Sequence, residues 1–250
     1  MRKTLYLSAL VGFIATVSVK NSFAQANPAD SSSQQNALNN AKALFQASLG
    51  SESPLYNGPE YYFYDPLIKG NAYFMDMNAF TQGSVFYDGA LYTGVPMLYD
   101  LYSDQVVVLL YNHFSKFSLL TDRVKSFDFL DHHFININAD TISNKTSGIS
   151  SGFYDELYNG KTEVLVKRGK SIQSNTGTLA SERFFSPSHD FYFRKNNIYY
   201  KITSQGSLLD VLKDKKKLVQ QYIKSSQIKF HRDPEDAMVK IATYYDHLTN

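Results

Sequence analysis

Val85-Phe86-Tyr87-Asp88-Gly89-Ala90-Leu91-Tyr92-Thr93-Gly94-Val95-Pro96-Met97-Leu98-Tyr99-Asp100-Leu101-Tyr102 is the stretch on which the fold hangs. An aromatic and β-branched run reaches Asp88-Gly89, a pair able to take positive φ at both centres of a tight hairpin, and a second such run returns over residues 95–102. Strand, turn and returning strand imply an antiparallel pair. Outward from it the pattern repeats: residues 105–111, 117–120, 124–130, 133–137, 163–166, 191–194 and 198–202 are runs of the same kind, parted by Gly, Asn, Asp or Ser clusters. Tyr56-Asn57-Gly58 and Tyr158-Asn159-Gly160 repeat the Tyr-then-turn signature, but their flanks do not align, so they read as turn chemistry and not as an internal repeat. Two Ser/Thr/Asn/Gly-rich stretches, 140–152 and 169–188, read as long surface loops and as the places for a ligand-covering lid.

Past residue 205 the period changes. Ser207 caps a helix over 208–213, with Asp210 at its third position, and a lysine-rich segment continues through Leu218, Val219, Tyr222 and Ile223. Asp233-Pro234-Glu235-Asp236 opens a last helix: a cap, a proline in the first turn and carboxylates facing the positive end of the dipole. Met238, Ile241, Ala242, Tyr245 and Leu248 form its apolar stripe. The predicted fold is α+β: a curved antiparallel sheet or partly open barrel over 55–204, with C-terminal helices of 205–250 packed against it as one domain.

Ahead of the sheet, Arg2 and Lys3 precede an apolar run over 5–19 and small residues at Ala24 and Ala26, which reads as a signal peptide over 1–24. The run is short for a membrane span and Lys20 ends it. A polar lead-in over 25–54 follows, with a short helix expected across 36–49. Export changes the charge. The 250-residue chain carries a formal +2, but loss of Arg2, Lys3 and Lys20 leaves 22 basic against 23 acidic residues. Segment 205–232 holds seven basic residues and two acidic ones, so Lys215, Lys216 and Lys217 offer a basic face to an anionic surface. No nucleic-acid partner is expected for an exported chain of this balance, nor is an integral membrane protein.

Zero cysteine excludes disulfides, thiolate catalysis, zinc ribbons, iron–sulfur ligation and a lipobox anchor. Gly148-Ile149-Ser150-Ser151-Gly152 matches the nucleophile-elbow lettering, but it lacks the strand–turn–helix context that exposes such a serine. His132-His133 lies in a strand, where neighbours point to opposite faces, so the doublet cannot chelate one metal as a unit. With no H-E-x-x-H or H-x-H, neither metal nor cofactor is expected. Tyr99-Asp100 and Tyr154-Asp155 are the acid-bearing pairs to inspect for a hydrolase. No catalytic residue is assigned.

The distinctive feature is 19 Tyr and 18 Phe without a single Trp. In strands, alternation sends Phe to the core and leaves Tyr with its hydroxyl at a rim. Tyr62, Tyr64, Tyr87, Tyr99, Tyr192 and Tyr200 are the candidate ligand-binding positions on such a sheet. Gly83-Ser84-Val85-Phe86-Tyr87-Asp88-Gly89, Val95-Pro96-Met97-Leu98-Tyr99-Asp100 and the Leu208-Leu209, Asp214-Lys215-Lys216-Lys217, Tyr222-Ile223-Lys224 and Tyr244-Tyr245 tail resemble a group of exported proteins of Bacteroidota. That resemblance implies export from a Gram-negative cell and strands before helices; it carries no activity and no site residues. The function expected is a non-enzymatic envelope protein holding an apolar or amphipathic ligand, such as a lipid, or another envelope protein. A hydrolase assembled from strand ends and a structural subunit of a surface complex are the alternatives.

Overall fold

A computed structural model describes residues 53–142, 148–175 and 182–249, with scattered positions between 33 and 50. The leader over 1–24 lies outside the described residues. Within the stretch expected to be a short helix, positions 36–38, 41 and 48 are helical. The contact pattern divides the chain after Leu38, and everything below belongs to the unit from Asn39 to Asn250.

That unit is a ten-stranded antiparallel sheet with helices. The strands are β1 (Thr81–Tyr87), β2 (Ala90–Asp100), β3 (Gln105–Leu109), β4 (Lys116–Ser118), β5 (Val124–Phe129), β6 (His132–Ile137), β7 (Gly152–Asn159), β8 (Glu163–Asn175), β9 (Glu182–Lys195) and β10 (Ile198–Ile202). Their order is β10-β9-β8-β7-β6-β5-β1-β2-β3-β4. After the β1–β4 meander the chain returns to lay β5 against β1, and the remaining strands add outward one by one. The helices α1 (Gln205–Val211), α2 (Lys216–Ser225) and α3 (Pro234–Leu248) follow.

Of the three Tyr-led turns, one is the tight hairpin. Asp88 and Gly89 take φ of 49° and 79°, with Tyr87 paired to Ala90. Asn57-Gly58 instead follows a 3₁₀ turn, and its glycine serves close approach: a Cβ there would stand 1.8 Å from the Ser118 carbonyl oxygen. Two tight hairpins without glycine, at Leu130-Asp131 and Asn196-Asn197, place all four residues at positive φ.

Two expectations are corrected. The stretch 169–188 is largely strand and not loop, because β8 and β9 run on as a ladder from Glu163↔Arg194 to Asn175↔Glu182. Its serines and threonines are compatible with extended backbone, and cross-strand pairing outweighs their weak turn preference. The first helix begins three residues early, since Ser204 caps it and shares reciprocal bonds with Ser207. At α3 the Asp233 cap and Pro234 stand where the sequence puts them, Asp233 accepting from Asp236 N at 3.1 Å.

Curvature comes from register shifts at Gly83/Ser84, Phe86/Tyr87 and Glu156/Tyr158. The bent sheet buries alternate residues of one face, among them Val85, Tyr87, Met97, Tyr99, Phe127, Phe129, Phe134 and Phe153, with Leu55 and Phe74 plugging in from the preceding segment. Phe127 and Phe134 stack at 4.6 Å and 13°, and Tyr99, Phe153 and Phe74 meet this pair edge-on. Further along the sheet, Val164, Phe193 and Ile202 carry the stripe of α3 together with α1 and α2.

The ladder does not close, and the segment ahead of β1 bridges β9 and the end of β2. Lys69 pairs with Phe184 of β9 while Tyr73 pairs with Asp100 at the end of β2. Leu101 N donates to the Ala72 carbonyl at 2.9 Å, and Lys170 N of β8 donates to the Leu101 carbonyl at 3.1 Å. Among the described residues no helix is long and apolar enough to cross a membrane.

Candidate functional site

The segment ahead of β1 carries the aromatic run Tyr61-Tyr62-Phe63-Tyr64 to the end of β2, where Tyr61 and Tyr64 meet Asp100. There Asp100, wholly buried, organises the segment. Its Oδ2 accepts from Tyr61 Oη at 2.9 Å and Tyr64 Oη at 2.6 Å, and its Oδ1 from the amides of Tyr102 and Ser103 at 2.9 and 3.1 Å. Tyr73 Oη joins through Tyr61 Oη at 3.3 Å. Burial, followed by hydrogen bonding to and the charge of Asp100, raises the Tyr64 phenol above its ordinary range. For Tyr61 burial again leads, followed by the bond with Tyr73 and then Asp100.

Beside this buried carboxylate opens a cleft of about 250 Å³ walled by Phe63, Tyr64, Tyr73 and Phe185, with Asp65 and Asn71 among its polar groups. Phe63 meets Tyr73 at 78° and Tyr64 meets Phe185 at 70°, so the rings form adjoining walls and not a stacked slab. Phe185 arrives on β9, held by Arg183–Asp65 and Lys69–Glu182 ion pairs at 2.5 and 2.7 Å. These surface pairs fix position more than they add stability.

The six sequence-chosen tyrosines do not converge. Tyr64 lines the cleft, and Tyr62, 73% exposed, bonds Glu60 nearby. Tyr87 and Tyr99 are core residues, Tyr192 is buried with Tyr154 and Leu165, and Tyr200 packs on the helical core. Phe63, Tyr73 and Phe185 wall the cleft although they are not among the six candidates. Phe63 belongs to the aromatic run 61–64 and Tyr73 to the Tyr73-Phe74 pair, whereas Phe185 lies within the 169–188 stretch whose composition reads as loop.

The charged candidates separate likewise. His132 and His133 do point to opposite sides, His132 Nδ1 to Asp155 at 2.8 Å and His133 Nδ1 to Asp128 at 2.6 Å. Asp155 is buried and also accepts from Arg168 Nε at 2.8 Å, while the far edge of Arg168 grips Glu235 with two bonds of 2.9 Å. This chain of charges ties β6, β7 and β8 to the start of α3. Neither His132 nor Asp155 lines the aromatic cleft. Among the described residues Ser150 of the elbow-like motif hydrogen-bonds Tyr154, Oγ to Oη at 3.3 Å and through backbone bonds. No group of three or more His, Asp or Glu among the described residues is placed to hold a metal. On the helices, Lys216 pairs with Asp210 at 2.8 Å, and Lys217 is exposed.

One further carboxyl is perturbed. Glu163 at the start of β8 is buried, shares a hydrogen bond with Glu156 and is paired with Arg194. Burial first, and then Glu156, push its carboxyl up to about 7, against the pull of Arg194. A raised acid favours the protonated fold, so this contribution is complete below the unfolded value near 4.5 and is lost as pH rises through about 7. Urea unfolding at pH 5 and pH 8 is expected to show a loss of about 1–3 kcal/mol from this group. Glu163→Gln should flatten that slope; an unchanged slope would assign it to other groups.

No protein-family model, no curated protein and no solved structure matches the chain.

Proposed function

We propose that this is an exported, non-catalytic binding protein that holds an apolar or amphipathic ligand in the cleft of Phe63, Tyr64, Tyr73 and Phe185. The observation that carries the reading is the contrast between a ring-filled sheet interior and this open aromatic cleft of about 250 Å³. Small-molecule sites are concave, apolar-walled and provided with a few polar groups, and the cleft has that make-up. Its walls rest on the sheet through Asp100, which pre-organises them and lowers the ordering cost of binding. A lipocalin-style interior site does not fit, since the concave face is occupied by stacked and edge-on rings. Export rests on the leader-like pattern over residues 1–24.

The test is titration of the isotope-labelled protein with a neutral amphiphile, decyl maltoside below its micelle concentration. Saturable shifts confined to Phe63, Tyr64, Tyr73 and Phe185 are expected, weakened in Phe185→Ala. Shifts spread over the surface, or none, would overturn the reading.

A further inference from the structure

The cleft has an electrostatic sign. Its lining includes the carboxylate of Asp65 and no lysine, arginine or histidine. Behind the tyrosine walls lies Asp100, buried and bound by four donors, two phenols and two backbone amides, all of them neutral. Arg183 offsets Asp65, whereas no described ion pair offsets Asp100. A phenol donating to a buried anion gains electron density, and that density enriches the ring face. Aromatic faces already attract cations, most strongly where water is displaced. On the rim this preference is visible within the chain: Lys116 Nζ stands 5.0 Å from the centre of the Phe63 ring. Among the described residues no lysine or arginine is placed over Tyr64, Tyr73 or Phe185.

Resting on the binding role just proposed, we infer that the cleft recognises a cation, specifically a methylated or quaternary ammonium group. The volume suits a compact head, the rings of Phe63, Tyr64, Tyr73 and Phe185 line the cleft at steep mutual angles, and the buried Asp100 carboxylate lies behind the Tyr64 ring. An anionic head is disfavoured, because the lining offers it the Asp65 carboxylate and aromatic rings but no basic residue. A bare metal ion is a poor fit for the same walls, which offer π faces where a hard cation needs several oxygens.

The experiment compares choline with 3,3-dimethylbutan-1-ol, its uncharged isostere, by chemical-shift titration of the intact protein. Choline is expected to bind at least about tenfold more tightly, the ratio a desolvated cation–π contact supports. In Phe185→Leu, which keeps apolar bulk and removes a π face, that preference should fall several-fold while the isostere is little affected. Tyr64→Phe keeps the ring but removes its bond to Asp100, and it should reduce the choline preference by a smaller factor. Equal binding of choline and isostere would overturn the cation inference and leave an apolar cleft. Decyl maltoside binding without choline binding would do the same. Silence of all three probes would overturn both readings.

Discussion

Phe134→Ala is expected to lower the stability of the protein by about 3–5 kcal/mol. The ring is 1% exposed and stacks on Phe127 at 4.6 Å. Tyr99 and Phe74 meet it edge-on at 5.0 and 5.2 Å. Three of its neighbours come from different parts of the chain: β2, β5 and the segment ahead of β1. None can collapse into the vacancy without leaving its own partners, so the cavity persists and the transfer loss adds to it. The aromatic contacts contribute beyond burial. Urea unfolding followed by far-ultraviolet circular dichroism measures the change. A loss below about 1.5 kcal/mol would mean that the core repacks around the vacancy and is not rigid.

Asp155→Ala is the second large effect, about 3–5 kcal/mol. The carboxylate is 1% exposed and receives His132 Nδ1 and Arg168 Nε, each at 2.8 Å. Deleting it leaves a partly buried guanidinium edge and an imidazole without their acceptor. Arg168 keeps Glu235 on its far side, so α3 stays tethered to β8 while β6 and β7 lose their share. Asp155→Asn preserves size and an acceptor and should cost less than half as much. The combination Asp155→Leu with Arg168→Met should recover part of the loss, because an apolar pair avoids the desolvation of two charges. If the double variant were no more stable than Asp155→Ala, the penalty would not come from a stranded charge.

Much of the architecture was legible because it depends on near neighbours. Asp88-Gly89 specifies its hairpin through φ alone, and Asp233-Pro234 specifies the start of α3 through one side-chain bond and one ring. The strands of residues 85–137 announce themselves by β-branched and aromatic content, whereas β7 and the outer halves of β8 and β9 do not. Those outer halves are polar and Ser-rich, and what makes them strands is each other, together with Lys69 bridging to Phe184. Propensity has no access to a partner across a hairpin. Leu130-Asp131 shows the reverse case, a tight turn imposed by the pairing of Phe129 with His132 on residues whose types do not advertise it.

The candidate site divides along the same line. Tyr64 belongs to the aromatic surplus from which the candidates were drawn, and it does line the cleft. Tyr87 and Tyr99 share that composition but face inward, since the bulges of β1 and the bend of the sheet turn their side into the core. By itself the sequence determined the antiparallel α+β class, the order of strands before helices and an aromatic surplus that demanded a use. Only the tertiary structure decided which rings became core and which became walls, and that Phe185 of β9 would stand beside Tyr64 with Asp100 behind. Backbone preference is settled within a few residues, whereas facing and proximity are settled by curvature and packing summed over the whole sheet.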